Sequence, residues 1–550
     1  MKTATLGALA LATFAIPSIA QAHPWWKPPK TEHGTSFSDA SASVSFERIG
    51  DNFTAGLGGT AWIDHDDDDD LDLILVNSPG GDHGLFRNDS GAFTNVATEA
   101  GVTGDGSGHT GALAGDIDND GCTDLFLTGA GGFLGAVLPH RLYLNNCDGT
   151  FSDITTASGI DPLHNGVMAS FGDIDNDGFI DLYVASTGDF FTGELSTQKL
   201  YHNQGDGTFV DISAYAGIDT AFGGCVTGMS DFNNDGLTDL LMGNCGNLDT
   251  SGAQPFPIPG PWELWINQGD LTFVDTATAA GLNARPGFPM AVTMSDYDLD
   301  GDLDIFATGM GPENPFMPGL LGEQVLFRNN GDGTFADATY EAGLGGWEWG
   351  WGASFADFDN DGDDDLVTVG SVALPVMTFL GDLAGPGRIF ENDGNGYFEA
   401  VDDFGLENQA TSGLAVADYD SDGFPDIAIV KTAYALTTPE GTLAGDGAPV
   451  IQRNEGNANN SVTIRLRGTA SNSMGIGARV HAFTPARQQV KEVVAGSSFA
   501  STNSPWLTFG LGRWHLAFVV VSWPSGLDEL YVAPAIGELQ TFTEGTGICL

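Results

Sequence analysis

Basic side chains are scarce in this chain: 18 lysines and arginines stand against 74 aspartates and glutamates, and 18 − 74 gives a formal net charge of −56. Such a balance excludes nucleic acid as a partner and suits cations or a solvated acidic surface. Catalytic signatures are missing as well. There is no G-x-S-x-G elbow, no H-E-x-x-H, no C-x-x-C and no phosphate-binding glycine loop at the required spacing. After residue 22 no apolar run is long enough to span a membrane. Cysteines number five, so at least one is unpaired. Cys225 and Cys245 lie six residues before Asp231 and six after Asp239, where cross-strand neighbours flanking a hairpin loop would stand. Cys122 with Cys147 is a second candidate pair, and Cys549 is the spare.

What the chain does have is glycine, 78 of 550 residues, with 41% hydrophobic residues. That composition is globular and turn-rich, unlike a disordered acidic tail. The opening MKTATLGALALATFAIPSIAQA carries one lysine, an apolar stretch and Ala20-Gln21-Ala22 before a cleavage point. Residues 1–22 therefore read as a signal peptide, with an uncleaved anchor as the alternative. The expected location is secreted, periplasmic or at the cell surface, where disulfides are permitted. Residues 23–44, with Trp25 and Trp26, read as a linker.

Seven aspartates crowd the nine positions from Asp64 to Asp72, beside the apolar run LDLIL. The same spacing, D-x-D-x-D-G-x-x-D, recurs from Asp116, Asp173, Asp231, Asp296, Asp357 and Asp418, at intervals of 52 to 65 residues. Each copy precedes a strand-like run such as DLFLTG or DLYVAS. A second motif follows, LFRNDSGAF, LYLNNCDGTF, LYHNQGDGTF and their variants, which reads as two strands joined by a tight turn. Four short strands per unit, seven times over, predict an all-β chain with a seven-bladed β-propeller at 45–455, a solenoid being the alternative. SFERIG at Ser45 and IQRN at Ile451 are expected to close the ring. Up-and-down blades place all the aspartate loops on one face. The longer insertions, Gly243 to Pro261 and Gly309 to Gly322 among them, fall on the other, where a binding surface could form.

Oxygen donors at alternate residues of a tight loop resemble the first half of an EF-hand, and hard oxygen ligands favour calcium. The expected ligands are Asp64, Asp66, Asp68 and Asp72 in loop 1; Asp116, Asp118, Asp120 and Asp124 in loop 2; and Asp173, Asp175, Asp177 and Asp181 in loop 3. Loop 4 offers Asp231, Asn233, Asp235 and Asp239; loop 5, Asp296, Asp298, Asp300 and Asp304; loop 6, Asp357, Asp359, Asp361 and Asp365; and loop 7, Asp418, Asp420, Asp422 and Asp426. Up to seven Ca2+ ions are expected, one per repeat. Two carboxylates 4 Å apart repel by about 1 kcal/mol in water and about 4 at an effective dielectric of 20, so loops without cations would penalise the fold. Loop 1, with Asp67, Asp69 and Asp70 added and no glycine, reads as a degenerate copy. His65 within it reads as a solvated side chain.

These repeats resemble the FG-GAP or VCBS family, which includes the propellers of integrin α chains with calcium held in such loops. From residue 456 to 550 a different segment begins, and its RLRG, SN, GIGARV, GS before SxNSP, FGLG and WPSG are similar to the ASPIC/UnbV domain. Ser473 and Met474 depart from that pattern. Repeats followed by this domain form the architecture of the cartilage acidic protein family. The resemblance implies extracellular calcium binding and interaction, and no catalytic residues.

The expected function is thus an extracellular binding or adhesion module for glycans or proteins. The alternative is a calcium-dependent polysaccharide lyase or hydrolase with its site at the propeller channel, which His109 and His164 could face. Trp347, Trp349 and Trp351 of GGWEWGWG read as packing between blades or as a surface on which a sugar ring could stack.

Overall fold

The computed structural model describes residues 35–41, 58–76, 83–104, 108–129, 139–187, 196–219, 221–244, 247–248, 257–258, 260–309, 323–347, 350–370, 387–401, 411–431, 434–438, 441–445, 449–533 and 539–550. The expected signal peptide and Trp349 lie outside these residues, as do most of the linker and of the two long insertions.

Short runs rich in β-branched and aromatic residues, punctuated by glycine turns, form antiparallel strands throughout. Blade 1 comprises Thr60–Ile63, Asp72–Leu75, Gly84–Asp89 and Ala92–Asn95, hydrogen-bonded in that order. The aspartate loop is its first turn, with Ile63 paired to Asp72. Five more four-stranded sheets repeat this order, starting at Gly111–Gly115, Gly166–Gly172, Gly224–Ser230, Val292–Ser295 and Gly352–Ala356. A seventh sheet starts at Thr411–Ala417. Each first strand neighbours the next, and the seventh neighbours the first, so the sheets close a ring. This is a β-propeller.

The seventh sheet takes its outer strand from the other end of the chain. Phe37–Asp39 pairs with Val450–Asn454, Phe37 opposite Asn454. Among the described residues the closing phrase is FSD at 37–39, a copy of FSD at Phe151–Asp153, and the SFERIG that begins at Ser45 lies outside them. Phe37 also meets Phe358 edge to face at 5.6 Å. At the seam between blades 7 and 1, Trp62 lies parallel to Tyr419 at 6.1 Å.

The C-terminal region forms two sheets. One orders Leu507–Gly512, Asn460–Arg467 and Leu539–Thr543; the other orders Gln488–Glu492, Arg479–Phe483, Ala517–Ser522, Asp528–Ala533 and Ile548–Cys549. Alternation along these strands turns Val462, Ile464, Val480, Val519 and Val521 inward. Their core is continuous with propeller residues Leu113, Phe126, Phe171 and Tyr201, so the two regions share one apolar interior.

Residues 495–504 of this region run through the ring. Phe171 donates its N–H to the Ala495 carbonyl, Ser498 to Val292, Ala112 to Ala500, Thr502 to Thr60 and Ser504 to Val416. Blades 1, 2, 3, 5 and 7 are thereby tied to one strand of chain. Phe499 is fully buried, edge to face with Trp351 at 4.8 Å. Gly59 makes room for it, since a Cβ there would stand 1.7 Å from the Ala500 oxygen. This segment thus lies across the inner strands, at the place where the enzyme alternative expects a channel. Trp351 serves this packing.

Deleting residues 35–41 should remove the outer strand of blade 7 and the Phe37 contact, costing about 3 kcal/mol, and leave a bare edge. A lowered melting temperature with concentration-dependent self-association on a sizing column is the expected result.

Candidate functional site

All seven aspartate loops adopt one backbone turn. Position four has a left-handed φ of 56–61° at Asp67, Asn119, Asn176, Asn234, Leu299, Asn360 and Ser421. Position six is left-handed again, at Gly121, Gly178, Gly236, Gly301, Gly362, Gly423 and, in loop 1, Asp69 with φ 69°. Aspartate is among the few residues that tolerate this region. Loop 1 therefore has the same turn as the others and is not degenerate in its backbone.

The aspartates divide by position. Those at position nine, Asp72, Asp124, Asp181, Asp239, Asp304, Asp365 and Asp426, are fully buried. One oxygen of each accepts the position-two N–H of its own loop at 2.8–3.3 Å. The other accepts the N–H of the asparagine in the L-Y/F-x-N strand at 2.7–2.9 Å. Position-one carboxylates accept N–H groups from positions five and six, as Asp173 does from Asp177 and Gly178. Position-five carboxylates lie toward solvent and accept the position-seven N–H, as Asp177 does from Phe179. In loop 1 the oxygens of Asp64, Asp66 and Asp68 converge within 4.8 Å of one another.

Those asparagines were not singled out as site residues in the sequence, although all seven copies of the strand carry one. Asn88, Asn145, Asn203, Asn267, Asn329, Asn392 and Asn454 each donate one side-chain N–H to the carbonyl just before their own position-nine aspartate. The same amide donates to the position-two carbonyl of the preceding loop, at 2.8–3.1 Å. Asn145 reaches His65, Asn203 reaches Ile117, and so on until Asn88 reaches Tyr419. A closed circle of amide bridges links every loop to its neighbour.

Burial raises a number of the loop carboxyls above their ordinary range. It pushes Asp124, Asp239 and Asp296 to about 8, Asp64 and Asp418 to about 7, and Asp116 and Asp173 to about 6, with neighbouring carboxylates adding to the effect. Several buried oxygens have no donor: Oδ1 of Asp66, Asp116, Asp298 and Asp420. Unpartnered buried carboxylate oxygens are costly. A hard divalent cation is the group that fits these all-oxygen cups.

Two families match this chain. The FG-GAP-like repeat covers residues 138–184, 231–307, 321–368 and 378–429, and the ASPIC and UnbV family covers 468–548. Cartilage acidic protein 1 of Mus musculus is 24% identical over 502 residues, covering 85% of this chain and 70% of that protein. The chain is an FG-GAP repeat protein with an ASPIC/UnbV domain, homologous to cartilage acidic protein 1. Integrin alpha-E of Mus musculus is 32% identical over 211 residues, 34% of this chain and 18% of that one. Among solved structures, the BP39L lectin of Burkholderia pseudomallei aligns with 72% of this chain and 98% of its own at 12% identity, with a TM-score of 0.43. That score carries no argument about function.

The ASPIC/UnbV domain docks on the loop face through the phrases that mark it. In RLRG, Arg465 lies 2.5 Å from Asp69 and 3.8 Å from Asp64, and Arg467 lies 3.5 Å from Asp67. Ser473, a departure from the family pattern, bonds Asp116 through its hydroxyl and Asn119 through its N–H. Arg479 of GIGARV reaches Asn234 and the Asp231 carbonyl. Arg487 pairs with Asp363 and Lys491 with Asp364 at 2.7 Å. Asp67 and Asp69 of loop 1 and Asp363 and Asp364 of loop 6, surplus to the repeat's pattern, thus each receive one of the domain's cations.

Other expectations are corrected. His65 is buried, not solvated, with Nδ1 2.5 Å from Asp72. Burial draws its pKa down, but the bond to Asp72 and the charges of Asp72, Asp66 and Asp64 outweigh this and raise it. His109 is buried with Nδ1 2.9 Å from His83 Nε2, and His164 lies 2.7 Å from the Thr197 carbonyl. Trp347 is half-buried under Arg388 at 4.8 Å. Cys122 and Cys147 form a disulfide, and Cys549 is free. Cys225 is also disulfide-bonded; Cys245 lies outside the described residues, so its pairing does too.

Asn329→Ala should cost about 3 kcal/mol, because it strips donors from the buried Phe232 and Leu303 carbonyls; urea unfolding would measure it. In chelator, carboxyls whose folded pKa lies above the ordinary 3.8 add stability in acid and lose it as pH rises through about 6 to 8. The ion-free protein should therefore melt higher at pH 5 than at pH 8, and a higher melt at pH 8 would contradict this electrostatic account.

Proposed function

We propose that this chain is an exported, calcium-stabilised propeller that acts as an extracellular binding module for glycans or proteins. The carboxylates at positions one, three, five and nine would hold the ions, up to seven in number, with Asn233 offering a carbonyl oxygen in loop 4. Calcium would supply charge neutralisation to groups that are otherwise crowded and desolvated. The unpartnered buried oxygens of Asp116, Asp298 and Asp420 carry this part of the reading.

The binding part rests on which surface is left free. The ASPIC/UnbV domain covers the loop face, and residues 495–504 lie across the inner strands. The connections that lead from each fourth strand to the next blade lie opposite. They present Leu163, Tyr215 and Tyr340, each 65% exposed. Exposed tyrosines combine an apolar ring with a hydroxyl and suit both sugar and protein ligands. That segment across the inner strands favours binding over the lyase or hydrolase alternative.

An array of glycans and extracellular proteins, probed with the full exported chain in millimolar calcium and again in chelator, tests this. Calcium-dependent hits weakened by Tyr215→Ala or Tyr340→Ala are expected, with a lowered melting temperature in chelator. Product released from an arrayed polysaccharide would overturn the binding-module reading, and an unchanged melting temperature in chelator would remove calcium from it.

A further inference from the structure

The residue before each ring asparagine, x in L-Y/F-x-N, differs from loop to loop: Arg87, Leu144, His202, Ile266, Arg328, Glu391 and Arg453. At two of these positions the side chain meets carboxylates of the aspartate loop in its own blade, His202 reaching Asp175 at 3.1 Å and Arg453 reaching Asp420 and Asp422. Arg453 does so most fully, donating from Nε to Asp420 Oδ2 at 2.6 Å and from Nη2 to Asp422 Oδ2 at 2.9 Å. Both acceptors are expected cation ligands of loop 7. In loop 5 the equivalent Arg328 makes no ion pair among the described residues. There Asp296 is 3% exposed, and Asp298 Oδ1 is buried and unpartnered.

We propose, resting on the calcium reading above, that Arg453 is a resident cation of loop 7, which makes loop 7 a weaker ion site than loop 5. A divalent ion entering loop 7 meets a fixed positive charge on the two carboxylates it needs, and must share or displace it. At such separations the repulsion between a guanidinium and a divalent ion corresponds to about tenfold or more in affinity. Arginine cannot relieve it by losing its proton.

The sequence supplies its own reporter. Position two is tyrosine only in loops 5 and 7, Tyr297 and Tyr419, against His65, Ile117, Ile174, Phe232 and Phe358 elsewhere. Terbium enters calcium sites and emits when excited through an adjacent tyrosine, so titrating the full chain with terbium should give two steps. The first should vanish in Tyr297→Phe and the second in Tyr419→Phe. In Arg453→Gln the second step should move at least about tenfold to lower terbium concentration. Arg453→Lys, which keeps the charge, should leave it within a few-fold of the original. A second step unmoved by Arg453→Gln, or a loop-7 step at or before the loop-5 step, would overturn the inference while leaving calcium binding intact. A wild-type chain that retains no calcium in native mass spectrometry and gives no terbium emission would sink the calcium reading itself.

Discussion

A carboxylate withdrawn from water must be given donors or a cation, and each blade of this propeller withdraws one completely. The position-nine aspartate sits under its loop with both oxygens held by backbone N–H groups, one from the loop and one from the third strand. That clamp fixes where the asparagine of the third strand stands. The asparagine in turn fixes the neighbouring loop by bonding its position-two carbonyl. Blade-to-blade register is therefore set by polar bonds at the loop face, while the blades' flanks are held by apolar packing such as Trp62 against Tyr419. The circle is complete only because Asn88 reaches the loop of blade 7.

The same concentration of carboxylates that makes this scaffold also gives its second domain a place to sit. Arg465, Arg467, Arg487 and Lys491 meet the aspartates of loops 1 and 6 that exceed the repeat's pattern. An exposed pair such as Arg467 with Asp67 contributes little by itself, whereas Arg487 with Asp363 and Lys491 with Asp364 are largely covered. Here they stand at the rim of a shared apolar core and around a segment that threads the ring, so they orient a contact that burial stabilises. The crowding of aspartates before Asp72 is explained by two tasks in one loop: the turn itself, and a socket for two arginines with His65 held beneath it.

Much of the fold was legible in the chain. The period of the aspartate loops, the strand-like runs after them and the Asp-Gly turns specified four-stranded units, because local turn chemistry and alternation are written in neighbouring residues. The shared spacing of the seven loops corresponds to one shared backbone turn, with the position-nine aspartate buried beneath each. The asparagine circle was less legible, although its residues stood in every quoted motif, because an asparagine beside a turn ordinarily serves that turn alone. Its second bond crosses to a blade some 80 to 100 residues away, or 331 at the ring's closure.

By itself, the sequence determined the β-rich repeat, the loop conformation and the excess of negative charge, all of which depend on residues close together in the chain. Tertiary structure alone decided that Phe37–Asp39 closes the seventh sheet, that GSSFASTNS lies across the inner strands, and that RLRG and its companions face the loops. It also decided that His65 lies buried against Asp72. These contacts join segments separated by seven to more than four hundred residues, and their energies depend on which surfaces the closed ring leaves dry, a property that exists only once the chain has folded.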